Sequence, residues 1–323
     1  MFRPFALSSL VAVAAVSGAA QAQYPNRPIT MIVPYAAGGP TDTVARVMGV
    51  AMAKPLGQTL IVENKPSAGG ILGPEQVKNA KPDGYTLLIH HIGMATTPAL
   101  YRQLRYKPVE DFEPIGLINE VPMTIIARQN FPAKDFKEFL AYIKANKDKV
   151  SYANAGIGAA SHLCGMLFMS AIQTDMLTVP YKGTAPAMND LLGGQVDFMC
   201  DQTTNTTNQI KSGKVKVYAV TSKKRVPSLP DIPTLDELGL KGFEVTIWHA
   251  FYAPKGTPKP VIDKVAAALQ DALKDETVKK RFADLGAEAV TLDRATPAAL
   301  TAHLKAELAK WAPIIQKAGQ YAD

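Results

Sequence analysis

The sequence predicts an α/β protein of two domains built on open sheets. Three observations carry this prediction. β-Branched apolar runs alternate with helix-like stretches, and glycine turns stand where strands give way to helices. The 323 residues also suffice for two domains of about 150 residues each. Strands separated by helices favour parallel pairing with both sheet faces covered. Charged residues make up 20% and hydrophobic residues 47%, a balance that excludes disordered and coiled-coil chains.

The first element is not part of the fold. Residues 1–22 read MFRPFALSSLVAVAAVSGAAQA: Arg3 is a positive n-region, Phe5 to Val16 is a short apolar run, and Ala20-Gln21-Ala22 offers small residues for cleavage. That pattern is a secretory signal peptide, too short for a membrane span of about 20 residues. A soluble, exported protein of a bacterial periplasm is expected.

Ile29 to Tyr35 reads as the first strand, followed by a glycine turn and a helix to about Leu56. Thr59 to Val62 is a second strand, Tyr85 to His90 a third and Met123 to Ala127 another. From Asp135 onward, Phe136, Phe139, Leu140 and Ile143 follow i, i+3, i+4, i+7 spacing, which puts them on one buried helix face. The alternation continues through Ser151 to Ala155, a helix from about Ala159, Leu177 to Tyr181, a helix near Ala185 to Leu192, Val196 to Cys200 and Val215 to Val220. Thr234-Leu-Asp-Glu237 is a capping box that predicts a short helix. Thr296-Pro297 starts the last helix, whose stripe is Leu300, Leu304, Leu308, Trp311 and Ile315.

The formal net charge of +7 does not indicate nucleic-acid binding. Basic residues are scattered and answered by nearby acids, and the densest run, Lys223-Lys224-Arg225, lacks interleaved aromatics. Two cysteines, Cys164 and Cys200, fall in the second half. Their spacing is compatible with a disulfide or with two buried thiols, because bridging depends on Cα atoms lying within about 7 Å.

The chemistry lies in three glycine turns between strand and helix: Pro34 to Asp42, Pro66 to Gly70 and Asn154 to His162. A helix start carries unpaired N–H groups and partial positive charge, and so seats an anion. Ligands of open α/β sheets bind at the carboxyl ends of strands, where such turns lie. None of the three fits a nucleotide fingerprint: Ser161 stands where a dinucleotide loop has its last glycine, and no Gly-Lys-Ser/Thr occurs. With no lysine or arginine within them, neutral donors such as Thr41, Ser67 and Ser161 would hold a carboxylate.

The chain resembles the Bug-type extracytoplasmic solute receptors of tripartite tricarboxylate transporters. The resemblance rests on Tyr24 to Ile29, Pro34 to Asp42, Val62 to Pro66 with Ala68-Gly-Gly70, Pro82 to Leu87, Val179 to Gly183, Gly193 to Asp197 and Ala253 to Pro258. It implies a type II periplasmic binding fold: two open mixed sheets flanked by helices, with a ligand cleft at the hinge. The implied division is 23–122 and 248–323 for lobe one and 123–247 for lobe two, with crossings near Pro122 and Trp248. Carried over by position, one wall comprises Tyr35, Ala36, Gly38, Gly39, Thr41 and Asp42, with Ser67, Ala68, Gly69, Gly70 and His91. The facing wall comprises Asn154, Gly156, Ile157, Gly158, Ser161, His162 and Tyr181, with Asp201, Gln202 and Thr203. The ligand implied is a small mono- or dicarboxylate, aliphatic or aromatic. The partners implied are membrane permease subunits, for a monomeric receptor without cofactor.

Some residues read two ways. Asp42 would repel a carboxylate, so a helix-dipole or capping role suits it better, and His162 is read as structural. Adjacent histidines on a strand point to opposite faces, which argues against metal at His90-His91. Enzyme signatures such as Gly-x-Ser-x-Gly or His-Glu-x-x-His are lacking. A periplasmic ligand sensor remains the alternative to a transport receptor, with a secreted enzyme behind it.

Overall fold

A computed structural model of the protein describes residues 24–318 and residue 322; the segment read as a signal peptide, 1–22, lies outside the described residues. Among them, no helix is long and apolar enough to cross a membrane. The chain runs β1 (Ile29–Val33), α1 (Pro40–Leu56), β2 (Leu60–Asn64), a 3₁₀ turn at Ala68–Gly70, α2 (Leu72–Lys78), β3 (Thr86–His91) and α3 (Gly93–Leu100). The long strand β4 (Phe112–Arg128) leads to α4 (Phe136–Ala145), β5 (Ser151–Asn154), α5 (Ala160–Ile172), β6 (Leu177–Pro180), α6 (Thr184–Leu192), β7 (Phe198–Gln202), α7 (Thr203–Lys211) and β8 (Val215–Val220). The return is β9 (Thr246–Pro254), α8 (Lys259–Lys274), α9 (Glu276–Asp284), β10 (Glu288–Ala289) and α10 (Pro297–Ala318).

Two mixed sheets share one strand. In the first, β2, β1 and β3 are parallel, while β9 pairs antiparallel with both β3 and β4. In the second, β6, β5 and β7 are parallel, and β4 runs antiparallel to β7 and β8. The handover lies within β4: Pro122 still pairs with Thr246 of β9, whereas Met123 pairs with Gln202 of β7. Proline donates no ladder bond, which suits the position where the strand changes partners. The first half of β4 also carries two register shifts, flanking Gly116, where an added Cβ would meet Ala295 and Leu269 within 3.0 Å.

Local signals account for most elements. Asp135 caps α4 by accepting from the Glu138 N–H at 2.8 Å, and Phe136, Phe139 and Ile143 are buried beneath it. Each such side chain contributes about 1.5–3 kcal/mol of burial. In α10, Leu300, Leu304, Trp311 and Ile315 are buried and Leu308 packs against them. Thr296 Oγ1 caps that helix by accepting from the Ala299 N–H. The predicted helix at Thr234 is corrected: the capping box closes in both directions, yet the segment makes only a turn. The chain leaves it at Gly239 with φ +102°, a left-handed geometry that ends a helix.

Cys164 in α5 and Cys200 in β7 are joined in a disulfide, with Cα atoms 6.2 Å apart and a sequence separation of 36. Closing a loop of that length lowers the entropy of the unfolded chain, a stabilisation of about 3–4 kcal/mol in the loop-closure treatment. Urea unfolding of the oxidised protein and of Cys164→Ala/Cys200→Ala should differ by roughly that amount; coincident midpoints would refute the assignment of stability to this bond.

Candidate functional site

Four helices start around one cleft. α1 begins after Gly39, α5 after Ala159, α6 after Gly183 and α7 after Gln202, and none of these four N-cap residues makes a side-chain capping bond. Among the other helices, α4, α9 and α10 are capped by Asp135, Asp275 and Thr296, whereas α2, α3 and α8 also start without a side-chain cap. Uncapped first-turn N–H groups are orphan donors with partial positive charge. Here, α1 from one sheet faces α5, α6 and α7 from the other.

Between them lies a small cleft with an enclosed volume of about 20 Å³. Tyr35, Gly39, Pro40, Thr41 and His91 line it from the first sheet. Ala155, Ala159, Ala160, Ser161, Thr184, Asp201 and Gln202 line it from the second. No lysine or arginine is among them. The Ser161 hydroxyl accepts from the Ala155 N–H at 2.9 Å, which shapes the third glycine turn. The Thr184 hydroxyl is buried beside the Asp201 carboxyl, whose ionised form it favours.

The remaining predicted residues sit around this lining rather than in it. Asp42 turns away, taking the Gly38 N–H at 2.9 Å, the Arg46 guanidinium at 2.8 and 3.0 Å and the Asn64 amide at 3.0 Å. Burial alone would raise its pKa, but these bonds from Arg46, Gly38 and Asn64 outweigh burial and hold the carboxyl below its usual range. Tyr181 reaches Asp190 at 2.7 Å, and Thr203 ties α7 to the Gly286 carbonyl at 2.9 Å. Asn154 accepts from the Gly156 N–H within its own turn, His162 is buried in the first turn of α5, and Ser67 accepts from the Leu72 N–H.

The glycine turns meet one another across the cleft. The Gly69 N–H donates to the Ala155 carbonyl at 2.9 Å, and the Ala36 N–H to the Lys182 carbonyl at 3.1 Å. Tyr101 and Thr96 hydroxyls donate to the Ile157 and Gly158 carbonyls at 2.7 and 3.1 Å. Gly69 and Gly156 have φ of +73° and +90°, and a Cβ on Gly156 would meet Ala68 and the Gly69 nitrogen. Close backbone approach with left-handed geometry requires glycine at both. Ala68 and Gly70 complete the second turn, with Gly70 beneath the Tyr35 ring.

Tyr35 stacks on His91 with ring centroids 4.9 Å apart. His91 pairs with His249 across β3 and β9, and His90 lies at their side. Burial pushes all three imidazoles down, His90 to about 4 and His249 to about 3, so they are neutral near pH 7. His91 Nδ1 accepts from the Gly93 N–H at 2.9 Å; its proton is therefore on Nε2, a neutral donor. Among the described residues, no three His, Cys, Asp or Glu side chains are arranged to hold a metal ion.

Asp201 is the one acid in the lining. Burial pushes its carboxyl up to about 7, against the opposing bonds from Asn205 at 2.6 Å and the Gln202 N–H at 2.8 Å. The disulfide joins Cys200, next to Asp201, to Cys164, one helical turn after Ser161, so it pins two parts of the same wall. Sequence reasoning passed over Pro40, Ala155, Ala159, Ala160 and Thr184 as individual contacts. The first four fall inside glycine turns that it singled out, and Thr184 follows Gly183 at a helix start. His249 gave no sequence signal, since it lies mid-strand in an apolar run.

Known proteins share this arrangement. The family profile described as "Tripartite tricarboxylate transporter family receptor" matches residues 44–320. The structure of the periplasmic binding protein BugD is 58% identical to this chain, covers 92% of it and 99% of BugD, and has a TM-score of 0.91. MatC from Rhodopseudomonas palustris, solved with bound malate, is 41% identical, with 90% of this chain and 100% of MatC covered and a TM-score of 0.87. Rpa4515 from R. palustris, solved with adipate, is 29% identical, with 92% and 98% covered and a TM-score of 0.86. With its profile match and its close agreement in fold with these solute-binding proteins, the chain belongs to the receptor family of the tripartite tricarboxylate transporters.

Proposed function

We propose that this protein captures a short aliphatic dicarboxylate in the periplasm, by closure of two lobes, and hands it to the membrane subunits of a tripartite transporter. The observation that carries the reading is the convergence of four uncapped helix starts on one small cleft without lysine or arginine. Such a site favours an anion through several orphan donors. Malate in MatC and adipate in Rpa4515 support an aliphatic diacid. The lobes are the first sheet with α1–α3 and α8–α10, and the second sheet with α4–α7; the hinge is β4 at Pro122–Met123 together with the entry to β9. Binding without turnover suits the lining, where Ser161 is engaged by a backbone N–H rather than by a base.

Three outcomes follow. A panel of aliphatic and aromatic mono- and dicarboxylates should give selective thermal stabilisation by a short aliphatic diacid. The gain is about 2.7 kcal/mol at 100 times Kd, and no shift by any diacid would sink the reading. The second outcome concerns pH. Below about 7 Asp201 is neutral and can donate to a ligand carboxylate; above it the group is ionised and repels one. Affinity for the diacid should therefore fall about tenfold between pH 6 and pH 8, and Asp201→Asn should flatten that profile in calorimetric titrations. An unchanged slope in the variant would remove Asp201 from the site. Third, a Cβ at Gly69 would overlap the Ile157 carbonyl and the Tyr101 hydroxyl across the cleft. Gly69→Val should abolish the ligand-dependent compaction seen by X-ray scattering in the parent protein, and normal compaction of the variant would show that closure does not use this contact.

A further inference from the structure

The basic run Lys223-Lys224-Arg225 has no part in the cleft. It forms one wall of a groove of about 600 Å³ behind the hinge. The run follows β8 in the second lobe, and the opposite wall is the α9–β10 turn of the first, with Gly286 and Glu288. The floor is the strand crossing itself, Glu120 and Pro122 of β4 and Thr246 of β9.

Cleft and groove lie on opposite sides of one layer. Side chains alternate along a strand: Asn119 and His249 reach toward Thr41 and the cleft, while Glu120 lines the groove. Gln202 lines the cleft, its neighbour Thr203 donates to the Gly286 carbonyl at 2.9 Å, and Gly286 lines the groove. This layer is the pivot, because β4 and β9 carry the chain between the lobes there. The front is shut: the glycine turns bond across a cleft of about 20 Å³, while the groove behind stands open. Turning the lobes apart at the front therefore brings the rear walls together.

The charges on those walls are balanced within each lobe, with one exception on either side. Lys223 is held by Glu244 at 3.1 Å and Arg225 by Glu237 at 3.1 Å, both within the second lobe. Glu120 is held by Arg294 at 2.7 Å within the first. Lys224 and Glu288 remain, one on each wall, exposed and without a charged partner among the described residues. Opposite charges attract once they come within a Debye length of about 8 Å. Attraction between these two favours approach of the rear walls, which is the open receptor.

We propose that Lys224 and Glu288 form an opening spring behind the hinge, which sets ligand affinity and release from a place the ligand never touches. The proposal rests on the lobe closure of the reading above and adds the force that opposes it.

The test is charge reversal on each wall of the full mature protein, with malate as the probe in calorimetry and X-ray scattering as the separate measure of closure. Lys224→Glu and Glu288→Lys each make the walls repel. Either should tighten malate binding about threefold and shift the ligand-free protein toward the compact form. The double exchange restores an opposite pair and should return both readouts to the parent's values, a reversal that a merely structural effect would not produce. Parent values of both readouts in the two single variants would overturn the proposal. So would single-variant effects that persist in the double exchange. Ala283→Trp fills the groove from the exposed end of α9 without changing charge, and should also tighten binding. Tightening by Ala283→Trp alone keeps the lever and rejects the spring. Malate binding that leaves the parent's scattering unchanged rejects lobe closure, and the spring with it. If malate does not bind, scattering from the ligand-free variants decides: compaction in both single variants that the double exchange reverses retains the spring and rejects only the dicarboxylate reading, and its absence rejects both.

Discussion

The architecture turns on orphan N–H groups that the protein leaves unsatisfied by its own side chains. A parallel strand–helix unit places the start of the helix at the carboxyl end of the strand, so every such unit in one sheet presents its helix start on the same side. Two sheets joined through β4 bring those sides face to face. Gly39, Ala159, Gly183 and Gln202 occupy the four N-cap positions, and none supplies the oxygen that Asp135 or Asp275 supplies elsewhere. The missing cap costs its helix on the order of 1 kcal/mol at Ala159 and about a few tenths at Gly39 and Gly183. The missing caps leave four helix starts whose donors are available to a ligand that contacts both lobes. The geometry of the fold and the chemistry of capture are therefore the same fact viewed at two scales.

Closure needs backbone to approach backbone, and that explains where glycine is indispensable. The contact between Gly69 and Ala155 has room for no side chain on Gly69 or Gly156, and both residues hold a left-handed φ. The bonds from Thr96 and Tyr101 to the third turn add to this seam without touching the cleft lining. The disulfide acts on the other side of the cleft, tying the second turn of α5 to the middle of β7. One wall is made rigid within its lobe, while the contacts between lobes are single hydrogen bonds of about 1 kcal/mol each. The covalent tie and the single hydrogen bonds therefore differ severalfold in strength.

Much of this was legible in the sequence where local physics and tertiary context agree. α4 and α10 combine helical spacing with an N-cap, and β8 carries Val215, Val217, Tyr218 and Val220; all three appear as read. The first half of β4 was not legible. Pro114, Gly116, Asn119, Glu120 and Pro122 interrupt any strand pattern, and only long-range pairing with β9 and β10 holds the segment extended. The box at Thr234 shows the opposite failure, a correct local signal without room for a helix to continue. The glycine turns announced three of the cleft's borders, because glycine before a helix has a local meaning. His249 could not be found in this way. Its significance comes from standing opposite His91 and behind Thr41, and those neighbours are 158 and 208 positions away in the numbering.

A protein of net charge +7 places no lysine or arginine in the lining of this cleft, and the physics of helix starts accounts for it. A buried lysine or arginine would bind a carboxylate strongly, yet in the open form it would need another partner, and releasing the ligand would strand the charge. Helix starts have no such liability, since their partial charges are hydrated when the lobes separate and cost little to uncover. Arg46 illustrates the separation: it is held by Asp42 on the outer side of α1, and that same carboxylate is kept out of the cleft by three kinds of donor. What remains inside beside Asp201 is a set of uncharged groups, of which His91 and Ser161 are oriented from behind by the Gly93 and Ala155 N–H groups. In such a lining the direction of protons, more than full charge, decides which polar groups a bound molecule can meet.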